Sequence, residues 1–185
     1  MLDTDLDMFW ILRGVNFLVE HLDHYRNRSD ELGPNLVGNV ESGLKLTAEE
    51  IGWAHAEHTR LYRQFQTLFD DYDLLITPGP PITPPAVGQR NVTKIDDLPM
   101  DNYMHASALT SSLTLAGNPC VAIPCGLDHT GMPFGLQLVG PMHGDWFTLG
   151  VAAALEDLFS SDPELDRPVP DLRKLTEGAR RGVGS

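Results

Sequence analysis

Cysteine is scarce in this sequence, with two residues in a chain of 185, and this scarcity excludes a disulfide framework. Cys120 and Cys125 are an odd number of positions apart, so on one strand they point to opposite faces and do not bridge each other. We interpret both as small apolar fillers, with a reactive thiol as the alternative. Reduced cysteines are typical of cytosolic proteins, so a cytoplasmic location is expected.

Basic residues are scarce as well. The chain carries 13 lysines and arginines against 26 aspartates and glutamates, which gives a formal net charge of -13. Such a surface repels phosphate backbones, so nucleic acid is excluded as a partner of the chain alone. The acidity fits two interpretations, solubility and adaptation to salt, and it identifies no partner.

Long apolar runs are missing from the sequence. No stretch approaches the length of a membrane-spanning helix. The first residues, "MLDTDLDMFW", lack the basic segment and the long apolar run of a signal peptide. We therefore expect a soluble protein with no membrane partner.

Helical and strand-like stretches alternate along the chain. "TAEE" makes Thr47 an N-cap with Glu50 at the third helical position, which is a capping box, and apolar residues then recur every three or four positions. The segment "PGPPITPPAVG" predicts a stiff extended loop, because proline fixes φ and removes hydrogen-bond donors. Further helices are predicted over 3–28, 40–44, 102–117 and 145–159, and Asp145 is predicted to cap the last of them. Strands are predicted over 74–77, 120–123 and 134–139. The last two strands form a hairpin with Gly131 in its turn.

This alternation predicts an α/β fold, with a mixed β-sheet covered by helices on both faces. Three strands make a thin sheet for so many helices. We therefore interpret residues 1–185 as a single partial domain, in which the segment 160–185, rich in proline, arginine and glycine, forms a mobile tail.

Three ordered stretches carry a resemblance to a known family. They are "YDLLITPGPP", "LTLAGNPCVAIPCG" and "MPFGLQLVGP", preceded by the capped helix that begins at Thr47. In this order they resemble the C-terminal portion of the amidase signature family and, more distantly, the A subunit of glutamyl-tRNA amidotransferase. The resemblance covers roughly residues 26–159, and the agreement of several motifs is specific where one alone would be weak.

The resemblance implies an enzyme that hydrolyses carboxamides with a Ser–cis-Ser–Lys triad and an oxyanion hole of backbone N–H groups. In the family this machinery lies in a Gly/Ser-rich segment N-terminal to everything matched here, and these 185 residues contain no such segment. The lysines Lys45, Lys94 and Lys174 do not fit the family's lysine setting. The serine pairs 111–112 and 160–161 are not embedded in glycine, so we assign no catalytic residue.

By the same resemblance, six residues line the acyl side of a substrate pocket: Thr77, Pro78, Met104, Ser107, Ala108 and Ser111. The alternative for each is packing in the core of the domain. The amidotransferase chains of the family place an acidic residue near position 107 to hold the α-amino group of glutamine. Since Ser107 cannot form that ion pair, an amide hydrolase with a less charged substrate is favoured.

Two histidine pairs have a spacing that can bind metal, namely His21 with His24 and His55 with His58. "HAEH" is not the zinc-protease motif and no third ligand is evident, so neither a metal nor a cofactor is expected.

The sequence as a whole leaves three hypotheses: part of an amide hydrolase inactive on its own, a non-enzymatic remnant serving as an interaction module, and one half of a split amidase or amidotransferase. The predicted partners are a small amide substrate and either the missing N-terminal half or a second copy.

Overall fold

The computed structural model describes residues 2–89 and 91–173. Lys174 and the rest of the predicted tail beyond it lie outside the described residues. The helices are α1 (Leu2–Arg28), α2 (Pro34–Gly43), α3 (Ala48–Asp71), α4 (Ala108–Ala116) and α5 (Asp145–Phe159). The strands are β1 (Leu75–Pro78), β2 (Lys94–Ile95), β3 (Leu98–Pro99), β4 (Cys120–Leu127) and β5 (Pro133–Val139).

Four of these helices pack together, with α1 against α2, α3 and α4. Met8, Ala54 and Leu61 form the buried centre of this layer. Ala54 and Leu61 belong to the apolar stripe predicted for α3, so the stripe faces α1 as its spacing indicates. Helices α1 and α2 approach closely at Gly14 and Gly43, where a Cβ on Gly43 would lie 2.9 Å from Leu18 Cγ.

The capping box predicted for α3 is confirmed. The Glu50 N–H donates to Thr47 Oγ1 at 3.2 Å, and the Thr47 N–H donates to Glu50 Oε2 at 2.7 Å. The hydrogen bond from the Thr47 backbone holds the pKa of Glu50 below its usual value. The helix therefore begins where the local sequence placed it.

The main sheet has three antiparallel strands in the order β1-β5-β4, and β2 pairs with β3 in a separate small ribbon. The predicted final hairpin is confirmed, with Gly131 at φ 81° in its turn. Helix α5 packs on one face of this sheet, where Ile123, Leu138 and Ala152 form a second buried cluster. The structure thus has two apolar centres, one between helices and one between α5 and the sheet.

Two predicted helix starts and one predicted cap were wrong. Asp145 does not cap α5, because Gly144 is the N-cap and no side chain accepts a capping hydrogen bond there. The helix predicted over 40–44 begins earlier, at Pro34, where proline suits the first helical position.

The segment predicted as one helix over 102–117 is a 3₁₀ turn, His105–Ser107, followed by α4. Asn102 Oδ1 accepts from the Met104 N–H at 2.9 Å, and such side-chain bonds compete with a helix.

None of the helices within residues 2–89 and 91–173 is both long and apolar enough to cross a membrane.

Candidate substrate-binding site

The six predicted pocket residues fall into two groups. Met104, Ser107, Ala108 and Ser111 follow one another along the 3₁₀ turn and α4, whereas Thr77 and Pro78 end β1. Ser111 is buried and Pro78 is exposed, and the other four are half-buried. Four of the six residues therefore lie on one continuous segment and two lie on the sheet.

The end of β1 is joined to β5 by a glutamine that sequence reasoning missed. Gln137 Nε2 donates to the Pro78 carbonyl at 3.1 Å and lies 3.5 Å from Thr77 Oγ1. Its neighbours in β5, Leu136 and Leu138, belong to the cluster under α5, so by strand alternation Gln137 lies on the opposite face. The signal for it was the polar residue inside the apolar stretch "FGLQLV".

Cys120 lies beside this glutamine, with its Sγ 3.8 Å from Gln137 Oε1. Partial burial of the sulfur raises the pKa of the Cys120 thiol above its ordinary value. A raised pKa keeps the thiol protonated near neutral pH, and the nucleophile of cysteine is the thiolate. The raised pKa weighs against the reactive interpretation, but Cys120 is exposed, so the prediction of a packed filler is wrong at this position.

The serines of α4 are enclosed. Ser111 is 5% exposed and Ser112 is 7% exposed. Within the described residues, Ser112 Oγ is buried and has no hydrogen-bond partner. Buried hydroxyls are usually paired, so Ser112 is the member of this segment with an unmet hydrogen bond.

The turn that carries Met104 is fixed by a network that the sequence did not reveal. Arg13 donates from Nε to Asn39 Oδ1 at 3.0 Å and from Nη2 to the Tyr103 hydroxyl at 2.9 Å. Asn39 Nδ2 donates to the same hydroxyl at 2.8 Å. The guanidinium also lies 4.6 Å from the centroid of the Phe17 ring, a cation–π distance. Helices α1 and α2 thereby hold the residue that precedes Met104.

Met104 borders a cavity of about 630 Å³ between the start of α1, the start of α3 and the 3₁₀ turn. Three aromatic side chains line it, from Phe9, Trp10 and Trp53, and three carboxylates, from Asp7, Glu50 and Asp101. Its size and its mixture of apolar surface with a few polar groups are those of a small-molecule site.

Several of the histidines and lysines that the sequence analysis considered and did not assign to a site have partners elsewhere in the fold. His58 Nε2 is 2.8 Å from the Leu115 carbonyl, which ties α3 to α4. His24 pairs with Glu31 at 3.3 Å, and Lys94 pairs with Asp97 at 3.0 Å. Across the residues that the structure describes, no group of three or more His, Cys, Asp and Glu side chains could hold a metal ion.

Comparison with known families identifies the family to which this chain belongs. The family model described as Amidase matches residues 16–149, which is most of the chain. The chain belongs to the amidase family. The resemblance carried by the three motifs is therefore confirmed, and so is the α/β class of the fold.

Two curated relatives and a solved structure are similar to this chain as well. The chain is 37% identical over 134 residues to the A subunit of the glutamyl-tRNA(Gln) amidotransferase of Halobacterium salinarum, covering 70% of this chain and 30% of the relative. It is 36% identical over 97 residues to an A subunit of the glutamyl-tRNA(Gln) amidotransferase of Clostridium acetobutylicum, covering 52% of this chain and 19% of the relative. A crystal structure of an amidase superposes with a TM-score of 0.74 and 25% identity, covering 84% of this chain and 36% of that one.

These coverages mean that this amidase chain spans about a fifth to a third of the length of the curated relatives.

One acidic residue of this amidase-type fold ties the proline-rich loop to the hairpin. Asp128 accepts hydrogen bonds from Thr83 Oγ1 at 2.7 Å, from Thr130 Oγ1 at 2.7 Å and from the Met132 N–H at 3.0 Å. The hydrogen bonds from Thr130 and then Thr83 hold the pKa of Asp128 far below its usual range. The loop "PGPPITPP" is thus fastened to the turn between β4 and β5.

We predict that replacing Asp128→Ala lowers the thermal midpoint at neutral pH. Because the folded pKa is depressed, the stabilisation is present above the unfolded pKa of about 4 and is lost as the pH falls below it. The midpoint of the wild type should therefore fall more steeply between pH 5 and pH 2 than that of the variant. Circular dichroism melts across this range check it, with the exposed Asp73→Ala as the matched control. Parallel curves for the wild type and Asp128→Ala would contradict the assignment.

Proposed function

We propose that this chain is the substrate-pocket part of an amide hydrolase, converting R–CO–NH₂ and water to a carboxylic acid and ammonia. The observation that carries the proposal is the short length of this member of the amidase family: it spans a third or less of the curated relatives, and its main sheet has three strands among the described residues. On this proposal, the nucleophile, the base and the oxyanion hole are supplied by polypeptide outside these 185 residues. The chain alone then does not hydrolyse amides.

The outer strands of the sheet support this proposal. In the order β1-β5-β4, both β1 and β4 have one edge without a partner strand among the described residues. Unpaired edges bind further strands or aggregate, so a native protein covers them. Apolar side chains next to these edges are open, including Ile76 at 51% exposed and Leu127 at 54% exposed. Further strands of the complete enzyme would bury both.

A groove beside β1 supports it as well. The groove has a volume of about 640 Å³ and is lined by Leu61, Phe65 and Leu68 of α3 and by Leu75 of β1. It is mainly apolar, and a helix face of this kind is normally buried against another element. The strand edge and the groove are adjacent, so one additional strand and the residues that follow it would cover both.

The six predicted pocket residues remain part of the proposal. Thr77 and Pro78 at the end of β1, and Met104, Ser107, Ala108 and Ser111 on the turn and α4, would face the acyl group of the amide. Ser111 is not proposed as a nucleophile, because it is buried within a helix of leucine and threonine and has no oxyanion pocket beside it.

The second candidate function is the pocket part of a glutamine-dependent amidotransferase. The identities of 36% and 37% to the two amidotransferase relatives favour it. Ser107 weighs against it, because serine cannot pair with the α-amino group of glutamine.

Complementation distinguishes these candidates. We would co-express the chain with an amidase N-terminal half that carries the Gly/Ser-rich signature and ends where this match begins. Ammonia release would be measured with acetamide, benzamide and glutamine. The controls are each part alone, and the N-terminal half with its nucleophilic serine changed to alanine.

Ammonia from acetamide or benzamide only when both parts are present is the expected result. If glutamine is the only one of the three substrates that releases ammonia, the amidotransferase candidate replaces the amide hydrolase. A folded, self-associated chain that forms no complex and gives no ammonia would favour the non-enzymatic remnant. Turnover by the chain alone that Ser111→Ala abolishes would overturn the assignment of the catalytic groups to another polypeptide.

A further inference from the structure

The cavity beside Met104 carries a charge pattern that specifies its ligand. Its aromatic wall comes from Phe9, Trp10 and Trp53, and its carboxylates come from Asp7, Glu50 and Asp101. No lysine or arginine of the described residues lines it. Within a space of about 630 Å³, three carboxylates and aromatic faces therefore meet, and the imidazole of His105 is the basic side chain that also lines the space.

The two tryptophans that line the cavity differ in exposure and in how they are held. Trp53 is 38% exposed and lies on the first turns of α3. Trp10 is oriented by an edge-to-face contact with Tyr103, at a centroid distance of 6.3 Å. Tyr103 is in turn held by Arg13 and Asn39, so the Trp10 ring has a fixed position before any ligand arrives.

The carboxylates differ in how firmly they are placed. Glu50 is fixed by the capping box, through Oε2. The side chain of Asp101 is 84% exposed at the mouth of the cavity, 3.6 Å from His105 Nδ1. His105 Nδ1 also accepts from the Asp101 N–H at 3.2 Å, so a neutral ring carries its proton on Nε2. Arg13 Cζ lies 6.0 Å from the centroid of the Phe9 ring, but the guanidinium donates hydrogen bonds to Asn39 and Tyr103.

We infer that this cavity binds a small organic cation, an ammonium group attached to an apolar or aromatic body, between Trp10, Trp53 and the carboxylate of Asp101. Aromatic faces attract ammonium groups through the ring quadrupole, and carboxylates add Coulombic attraction. The inference rests on the proposed function in one respect: since Met104 borders both sites, the cation would be a distal part of the amide substrate. Binding itself requires only the present chain.

Binding of benzylamine tests the inference in the chain as it exists. The background variant Trp146→Phe leaves Trp10 and Trp53 as the only tryptophans, so quenching of fluorescence reports on this cavity. We expect saturable binding of benzylamine at pH 7, with benzyl alcohol, a neutral probe of similar size, at least about tenfold weaker. Benzoate should not bind.

Two variants locate the site. Trp53→Leu should weaken benzylamine binding by about tenfold, with calorimetry as the readout and circular dichroism to confirm the fold. Asp101→Asn, at an exposed side chain, should weaken it severalfold without touching the core, and the exposed Asp157→Asn on α5 is its matched control. Equal affinity for benzylamine and benzyl alcohol, or full affinity in Asp101→Asn, would overturn the inference. The benzylamine assay contains no N-terminal amidase half. A negative result in it therefore leaves the outcome of the complementation experiment open, and the two proposals can fail separately.

Discussion

Gly140→Ala should strongly destabilise this chain. Gly140 follows β5 and is buried, and its N–H donates to the Pro119 carbonyl at 2.9 Å. A Cβ at this position would overlap Thr148 Oγ1 and would lie 3.1 Å from Thr148 Cβ. Thr148 is fully buried in the first turn of α5, so it cannot move away without shifting the helix. We expect a loss of about 3 kcal/mol in the free energy of unfolding, at the upper end of overpacked cores.

The matched control is Gly150→Ala, at an exposed position of α5. No heavy atom lies within 4 Å of a Cβ built there, so the substitution exchanges glycine for a better helix former. It should stabilise the chain by roughly 0.5–1 kcal/mol. Urea unfolding followed by circular dichroism gives both values. If the two variants differ by less than about 1 kcal/mol, α5 does not pack on the sheet as described.

Leu138→Ala is expected to have an effect of similar size through the opposite defect, a cavity. Leu138 is fully buried in the middle strand of the sheet, where it packs with Ile123 and Ala152. Replacing a buried leucine by alanine removes its transfer free energy and leaves a void, at a cost of about 2–5 kcal/mol. The same urea titration measures it. Because both outer strands of the sheet have an unpaired edge among the described residues, we also expect the variant to aggregate more readily.

Leu158→Ala is the control for this second experiment. The substitution is identical, but Leu158 is 64% exposed at the end of α5, so the change should stay within about 0.5 kcal/mol of the wild type. Two equally destabilising leucine variants would mean that the outer face of α5 is covered in solution, by a second copy of the chain. Sedimentation at two concentrations would then show the association.

The sequence predicted those features that depend on residues close together in the chain. The capping box of α3 joins Thr47 and Glu50, three positions apart. Helix α4 ends at Ala116 and is capped by Gly117, whose φ of 75° suits glycine, and the hairpin turn uses Gly131 in the same way. The order along the chain of the helices and of the three strands of the main sheet, and the family, followed from such local patterns, whereas the ribbon of β2 and β3 was not predicted. The exceptions were the cap of α5, where no side chain accepts a capping hydrogen bond, and the starts of α2 and α4.

The tertiary structure alone decided which distant residues meet. Gln137 reaches Thr77 across 60 positions, Arg13 reaches Tyr103 across 90, and Asp128 reaches Thr83 across 45. No periodicity reports such pairs, because they depend on how helices and strands pack after they form. The same reason hid the cavity beside Met104, whose walls come from two helices and a turn. The sequence by itself determined the family and the local elements, and the packing of α1, α3 and the turn determined the cavity beside Met104.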